Sequence, residues 1–130
     1  MRTIRFRGKR VDNGKWVYGE LFRISGFPYI YPDPAPGGWN DYEVIPDTVG
    51  QFTGLLDKNG KEIYEGDIII EKLKRSRKDC ERLVICFDDF EWQGKNENGA
   101  TTSLSLLSEY HTIEVIGNIH DNPELLEQNE

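Results

Sequence analysis

At 130 residues, 37% hydrophobic and 30% charged, the chain fits one domain or two small subdomains sharing a core. That balance excludes whole-chain disorder, and no apolar run approaches the roughly 20 residues that cross a bilayer as a helix. A net charge of −7 argues against bulk, sequence-independent binding to nucleic acid.

Thr3–Arg7 alternates Ile4 and Phe6 with polar neighbours, the period of a half-buried strand. Val11-Asp-Asn-Gly-Lys15 supplies a turn, because Asn and Gly tolerate positive φ, and Trp16–Phe22 returns as the second strand. Gly19 within it marks a bulge or a close backbone approach. Phe27–Tyr31 is a third short strand. Pro32–Asn40, with three prolines, cannot hold a ladder and reads as a loop. Tyr42–Ile45 and Thr48–Thr53 are extended pieces around Pro46-Asp47. Asp57-Lys-Asn-Gly60 makes a tight turn before Glu62–Tyr64, and Gly66 breaks the chain again.

Asp67–Leu73, Glu81–Phe87, Phe90–Trp92, Thr101–Leu107 and Tyr110–Ile119 follow as five strand candidates, Thr101–Leu107 being ambiguous with a helical turn. Five short strands with one long first loop fit a small SH3-like barrel, which removes sheet edges by closure. Asn122-Pro123 then starts a short helix, Asn as cap and Pro at the first position, with Leu125 and Leu126 to dock on the sheet. The fold expected is mainly β, of the α+β type: an N-terminal β-rich portion over residues 1–66, and an SH3-like barrel with a terminal helix over 67–130.

Three motifs carry a resemblance. Gly50, Gly54, Gly60 and Gly66 punctuate the middle run that ends at Asp67. Phe6-Arg7 with Trp16-Val-Tyr-Gly19 precedes it, and Glu114–Ile119 with Asn122-Pro-Glu-Leu-Leu126 follows. Together they resemble the YopX family, small proteins carried largely by phages and prophages and without an established activity. The resemblance implies the same barrel with an N-terminal β-rich portion packed on or extending it.

Candidate chemistry is sparse. Glu62, Glu65 and Asp67 form the best carboxylate cluster, able in principle to hold a hard cation, but Asp after Gly is a common turn residue that accepts backbone N–H bonds. Asp57, Asn59 and Gly60 resemble the start of a calcium loop without its later acids. Ser103, His111 and Asp121 supply the residue types of a hydrolase triad and no motif around them. Cys80 and Cys86 flank a strand, roughly 20 Å apart by strand rise, beyond disulfide reach, and only His111 and His120 are there to join them around zinc. No catalytic residue, metal or cofactor is therefore assigned.

Binding features stand out more. Six basic residues fall in the first fifteen (Arg2, Arg5, Arg7, Lys9, Arg10, Lys15) and none after Lys95, so a basic front and an acidic tail can pair within a chain or between subunits, or simply be solvated surface. The basic loop Lys72, Lys74, Arg75, Arg77 and Lys78 is the candidate nucleic-acid contact. Trp39, in the proline- and glycine-rich loop, is the candidate interface residue, since aromatics on loops are enriched at interfaces. The expectation is a non-catalytic, self-associating protein with a possible phage or host partner. Its expected location is the host cytoplasm, because Met-Arg-Thr-Ile-Arg-Phe-Arg lacks the apolar stretch of a secretory signal.

Overall fold

The computed structural model describes residues 4–32, 39–73 and 81–126. They form a mainly β protein with two antiparallel sheets and one short α-helix. Two compact units divide the chain, residues 1–54 and 55–130.

The first unit begins with β1 (Phe6–Lys9), β2 (Trp16–Ile24) and β3 (Phe27–Tyr31), and its last strand, β4 (Gly50–Leu56), runs across the division. The strand order is β3-β2-β1-β4, with β5 (Glu62–Tyr64) beyond β4. The β1–β2 turn is built as the Asp-Asn-Gly signal requires: the Arg10 N–H donates to the Lys15 carbonyl, and Gly14 takes φ 70°. Short 3-10 turns at Trp39–Tyr42 and Pro46–Thr48 take only Tyr42 and Thr48 from the extended pieces expected at Tyr42–Ile45 and Thr48–Thr53. Single bridges remain at Glu43, paired with Tyr29, and at Val44, paired with Arg10. Pro46 explains the second turn, since its fixed φ suits a helical start and it has no N–H to give a ladder.

Val17, Ile30, Tyr42 and Val44 form this unit's core, with Phe6, Leu21 and Val49 packed against it. The expected inward pairing of Ile4 and Phe6 fails, because the strand begins only at Phe6 and Ile4 is 66% exposed. Arg7 is buried in its place, its guanidinium 4.6 Å from the centre of the Trp16 ring. An apolar stem under a charge stacked on indole makes such burial tolerable.

The second unit holds β6 (Asp67–Leu73), β7 (Glu81–Asp88), β8 (Glu91–Lys95), β9 (Thr101–Ser103), α1 (Leu104–Tyr110) and β10 (His111–Asn118). The sheet order β10-β6-β7-β8-β9 is a meander whose last strand returns beside the first. Its core is Ile63, Ile69, Leu83, Ile85, Leu104, Leu107, Ile113 and Val115. The strand members recur at every second residue, as one face of a pleat demands, and Leu104 and Leu107 sit three apart on one face of α1. The ambiguity over Thr101–Leu107 thus resolves as both: β-branched Thr101-Thr102 pair with β8, and the Leu pair then turns helical to cover the sheet.

Two expectations need correction. Among the described residues neither sheet is closed, so the strand pairing does not confirm the expected SH3-like barrel. The physical reason lies at the two end strands: β9 is three residues long, and the free edge of β10 is occupied by the turn after β4. The Lys58 N–H donates to the Ile113 carbonyl there, and the Val115 N–H donates to the Asp57 carboxylate. The terminal helix is a single 3-10 turn, Pro123–Leu126, with no buried residue. Asn122 does not cap it by side chain; its Oδ1 instead accepts the Asn118 N–H, 3.2 Å away.

Gly19 is a close approach, as expected: a Cβ there would lie 2.2 Å from the Tyr31 carbonyl oxygen, a backbone atom that cannot turn aside. Gly19→Ala should destabilise the fold by about 3 kcal/mol, the upper range for overpacking. Chemical denaturation reads this as a lower midpoint at unchanged slope, and an unchanged midpoint would show that β3 yields freely.

Candidate functional site

The acidic centre of the chain is absorbed by the fold. Asp57 is buried, with Oδ1 accepting the N–H groups of Asn59 (2.8 Å) and Lys61 (2.9 Å) and Oδ2 accepting that of Val115 (2.9 Å). Desolvation pushes its pKa up, but the amides of Val115, Lys61 and Asn59 and the Lys61 charge more than reverse this. Its carboxyl therefore titrates below the ordinary aspartate range. Asp67, also buried, accepts the Tyr64 N–H at 2.7 Å, and Glu62 accepts the Tyr64 hydroxyl at 3.0 Å. These are acceptors locking turns, in the manner of Asp after Gly. Glu65 is exposed.

Beside the Asp57 turn lies a cleft of about 230 Å³, lined by Leu56, Asp57, Lys58, Ser108, His111 and Thr112 with Ile113. Of these, His111 has a distinctive partner outside the lining: its imidazole Nδ1 meets the carboxylate of a buried Glu71 from the neighbouring strand β6. A carboxylate on Nδ1 holds the ring in one tautomer and leaves Nε2 as the other functional nitrogen. Sequence reasoning missed this partner, because β10 and β6 come together across forty residues. The set Ser103, His111 and Asp121 is not brought together by hydrogen bonds: Ser103 Oγ pairs with Ser105 Oγ, and Asp121 accepts from Asn118. Ser108 lines the cleft, yet no hydrogen bond joins it to His111 among the described residues. The Lys58–Glu114 ion pair, 3.1 Å, is largely solvated and worth under about 1 kcal/mol.

Among the described residues no three His, Cys, Asp or Glu side chains gather as a metal-holding group. Cys86 is a half-buried free thiol whose pKa is raised, chiefly by desolvation, which keeps it protonated and weakly nucleophilic. Cys80 lies outside the described residues. So do Lys74, Arg75, Arg77 and Lys78 of the basic loop; Lys72 sits in β6 opposite Thr112. Trp39 opens the Trp39–Tyr42 turn, and its side chain is outside the described structure.

The β7–β8 turn is a feature sequence reasoning misassigned. Asp88 pairs with Glu91, so Phe90 belongs to a two-residue turn and not to the strand. Asp89 (φ 49°) and Phe90 (φ 63°) are both left-handed, the backbone of a type I′ turn that Asn-Gly fills without strain. Holding a residue with a Cβ there costs roughly 1–2 kcal/mol. Phe90 is 97% exposed, and Phe87, 52% exposed, meets Trp92 edge-on at 5.0 Å between ring centres. The two-residue spacing between Phe87-Asp88 and Glu91-Trp92 was the available signal.

The family model for the YopX protein matches residues 5–127. Among solved structures, protein yopX from Bacillus subtilis aligns over 100% of both chains with a TM-score of 0.64 at 20% identity. Protein EF1440 from Enterococcus faecalis aligns over 98% of this chain and 100% of its own, with a TM-score of 0.58 at 24% identity. At such identities the likeness is one of fold. No curated protein matches the chain.

The Asp57 geometry fixes a pH dependence. Because its pKa is lowered on folding, its stabilisation is complete above the unfolded value of about 3.9 and is lost as pH falls through the folded value. Asp57→Asn turns a donor toward one of the three amides, and should cost about 2–3 kcal/mol at pH 7. The gap between the urea midpoints of the two proteins should narrow as pH falls from 7 to 3; a constant gap would deny the carboxylate this role.

Proposed function

This chain belongs to the YopX family, and from that premise we propose that it is a phage- or prophage-encoded, non-catalytic interaction or assembly protein. In this reading it self-associates in the host cytoplasm and engages a further phage or host protein. The observation that carries the reading is the apolar surface outside both cores. Ile4, Val11, Phe27, Leu56, Phe87 and Phe90 are each more than half exposed. Single exposed apolar residues are ordinary, but aromatic side chains held out of the core are the residue class that anchors protein interfaces. The acidic side chains that suggest a reaction centre instead accept backbone N–H groups, as at Asp57 and Asp67, which supports a scaffold over a catalyst. Multi-angle light scattering at micromolar concentration should give a mass above that of one 15.0 kDa chain. A strict monomer would remove the assembly reading.

The second reading is a nucleic-acid-binding module of SH3-like type acting through Lys72, Lys74, Arg75, Arg77 and Lys78. Its support is five cations within seven residues that start at the end of β6; the net charge of −7 weighs against it. Salt-sensitive retention on DNA or RNA, lost when Lys74, Arg75 and Arg77 are replaced by Ala, would promote this reading over assembly alone. Absence of retention at low salt would dismiss it.

A further inference from the structure

We infer that the tip of the β7–β8 hairpin is a docking knob, with Phe90 as its anchor, and that its receptor is the basic N-terminal surface of a second copy of this chain. The inference rests on the self-association proposed above and names the element that carries it.

The tip is built against local preference. Both central turn residues are left-handed, a conformation in which Gly is the undemanding choice, yet the second position holds Phe. Phe90 is 97% exposed and belongs to neither core cluster, so folding gains nothing from it. Strain kept at an exposed aromatic points to use beyond folding. The base of the tip is firm: Trp92 packs against the second unit's core and meets the Phe87 ring edge-on. Gln93 steadies the turn, its Nε2 donating to the Asp88 carbonyl at 3.3 Å. The result is an aromatic side chain presented on a firm backbone base, the character of an interface anchor.

Charge selects the occupant. Exposed Asp88, Asp89 and Glu91 ring Phe90, so the receptor is cationic with an apolar spot for the ring. The chain carries such a surface itself. Of the basic residues near its N-terminus, Arg7 is buried and Arg10 is ion-paired with Asp12, which leaves Arg5, Lys9 and Lys15 beside the exposed Ile4 and Val11. Arg5 and Lys15 are exposed, and Lys9 stands 5.6 Å from the centre of the Trp16 ring. Complementary charge on two different surfaces of one chain makes the contact heterologous, which closes as a ring or as a reciprocal dimer.

Three variants of the whole chain, compared with the parent, test this by light scattering over a concentration series, with thermal unfolding alongside. The combined Asp89→Asn and Phe90→Gly variant installs the preferred turn pair, so it should melt a few degrees higher, by roughly the range that relief of strain gives. It should also associate roughly tenfold or more weakly than the parent. A charge-reversed tip (Asp88→Lys, Glu91→Lys) and a charge-reversed front (Arg5→Glu, Lys15→Glu) should each weaken association alone and recover it when mixed. A parent protein that assembles while the Asn-Gly variant assembles equally well would overturn the docking knob and leave self-association standing. A parent that stays monomeric throughout would overturn both, and recovery that fails on mixing would reject the second copy's basic front as the receptor.

Discussion

The carboxylate of Asp57 is the constraint from which the second unit's architecture follows. One oxygen closes the turn after β4 by accepting two amides of that turn, and the other accepts the Val115 amide fifty-eight residues later. A side chain thus does for the free edge of β10 what a neighbouring strand would do. A carboxylate suits this because three charge-assisted bonds offset the desolvation of a buried anion, which an unpaired group could not survive. With the Lys58 N–H on the Ile113 carbonyl, two residues of the β10 edge are satisfied without another strand. Such a strand edge is blunted against casual pairing, while the sheet itself stays open.

That arrangement decides where function can lie. The glycine-punctuated centre supplies turns and buried acceptors, and its acids are consumed in holding them. His111 and Glu71 come together because β10 pairs with β6, beside the same turn. Outside the two cores lie the strained, aromatic tip of the β7–β8 hairpin and the exposed Arg5 and Lys15 of the first unit. In the interaction role proposed above, aromatic area of this kind would give affinity and charge would give selectivity.

The legible and illegible parts of the sequence divide on physical grounds. Hairpin turns were readable because Asn13-Gly14 and Asn59-Gly60 carry their backbone conformation in residue type, and Gly19 announced a close approach by lacking a side chain. Asp67–Leu73 and Leu83–Phe87 were legible as strands from short runs rich in β-branched and apolar residues bounded by polar turns, since such residues favour the extended chain. Phe90 misled because an aromatic beside a strand is ordinarily part of it; only the Asp88–Glu91 pairing puts it in the turn. Asn122-Pro123 signalled a helix start correctly in kind, but Asn122 is drawn away to the Asn118 amide and the turn stays 3-10.

By itself the amino-acid sequence determined a mainly β chain, its turns, most of its strands and its family, because these depend on φ preferences and short periods written along neighbouring residues. Only the tertiary structure decided that the sheets stay open, that Asp57 reaches Val115, that His111 finds Glu71, and that Arg7 is buried under Trp16's partnership while Ile4 is not. Each of those outcomes depends on strand register across gaps of tens of residues, or on competition between a side chain and a backbone group for the same partner. Local pattern carries no term for either.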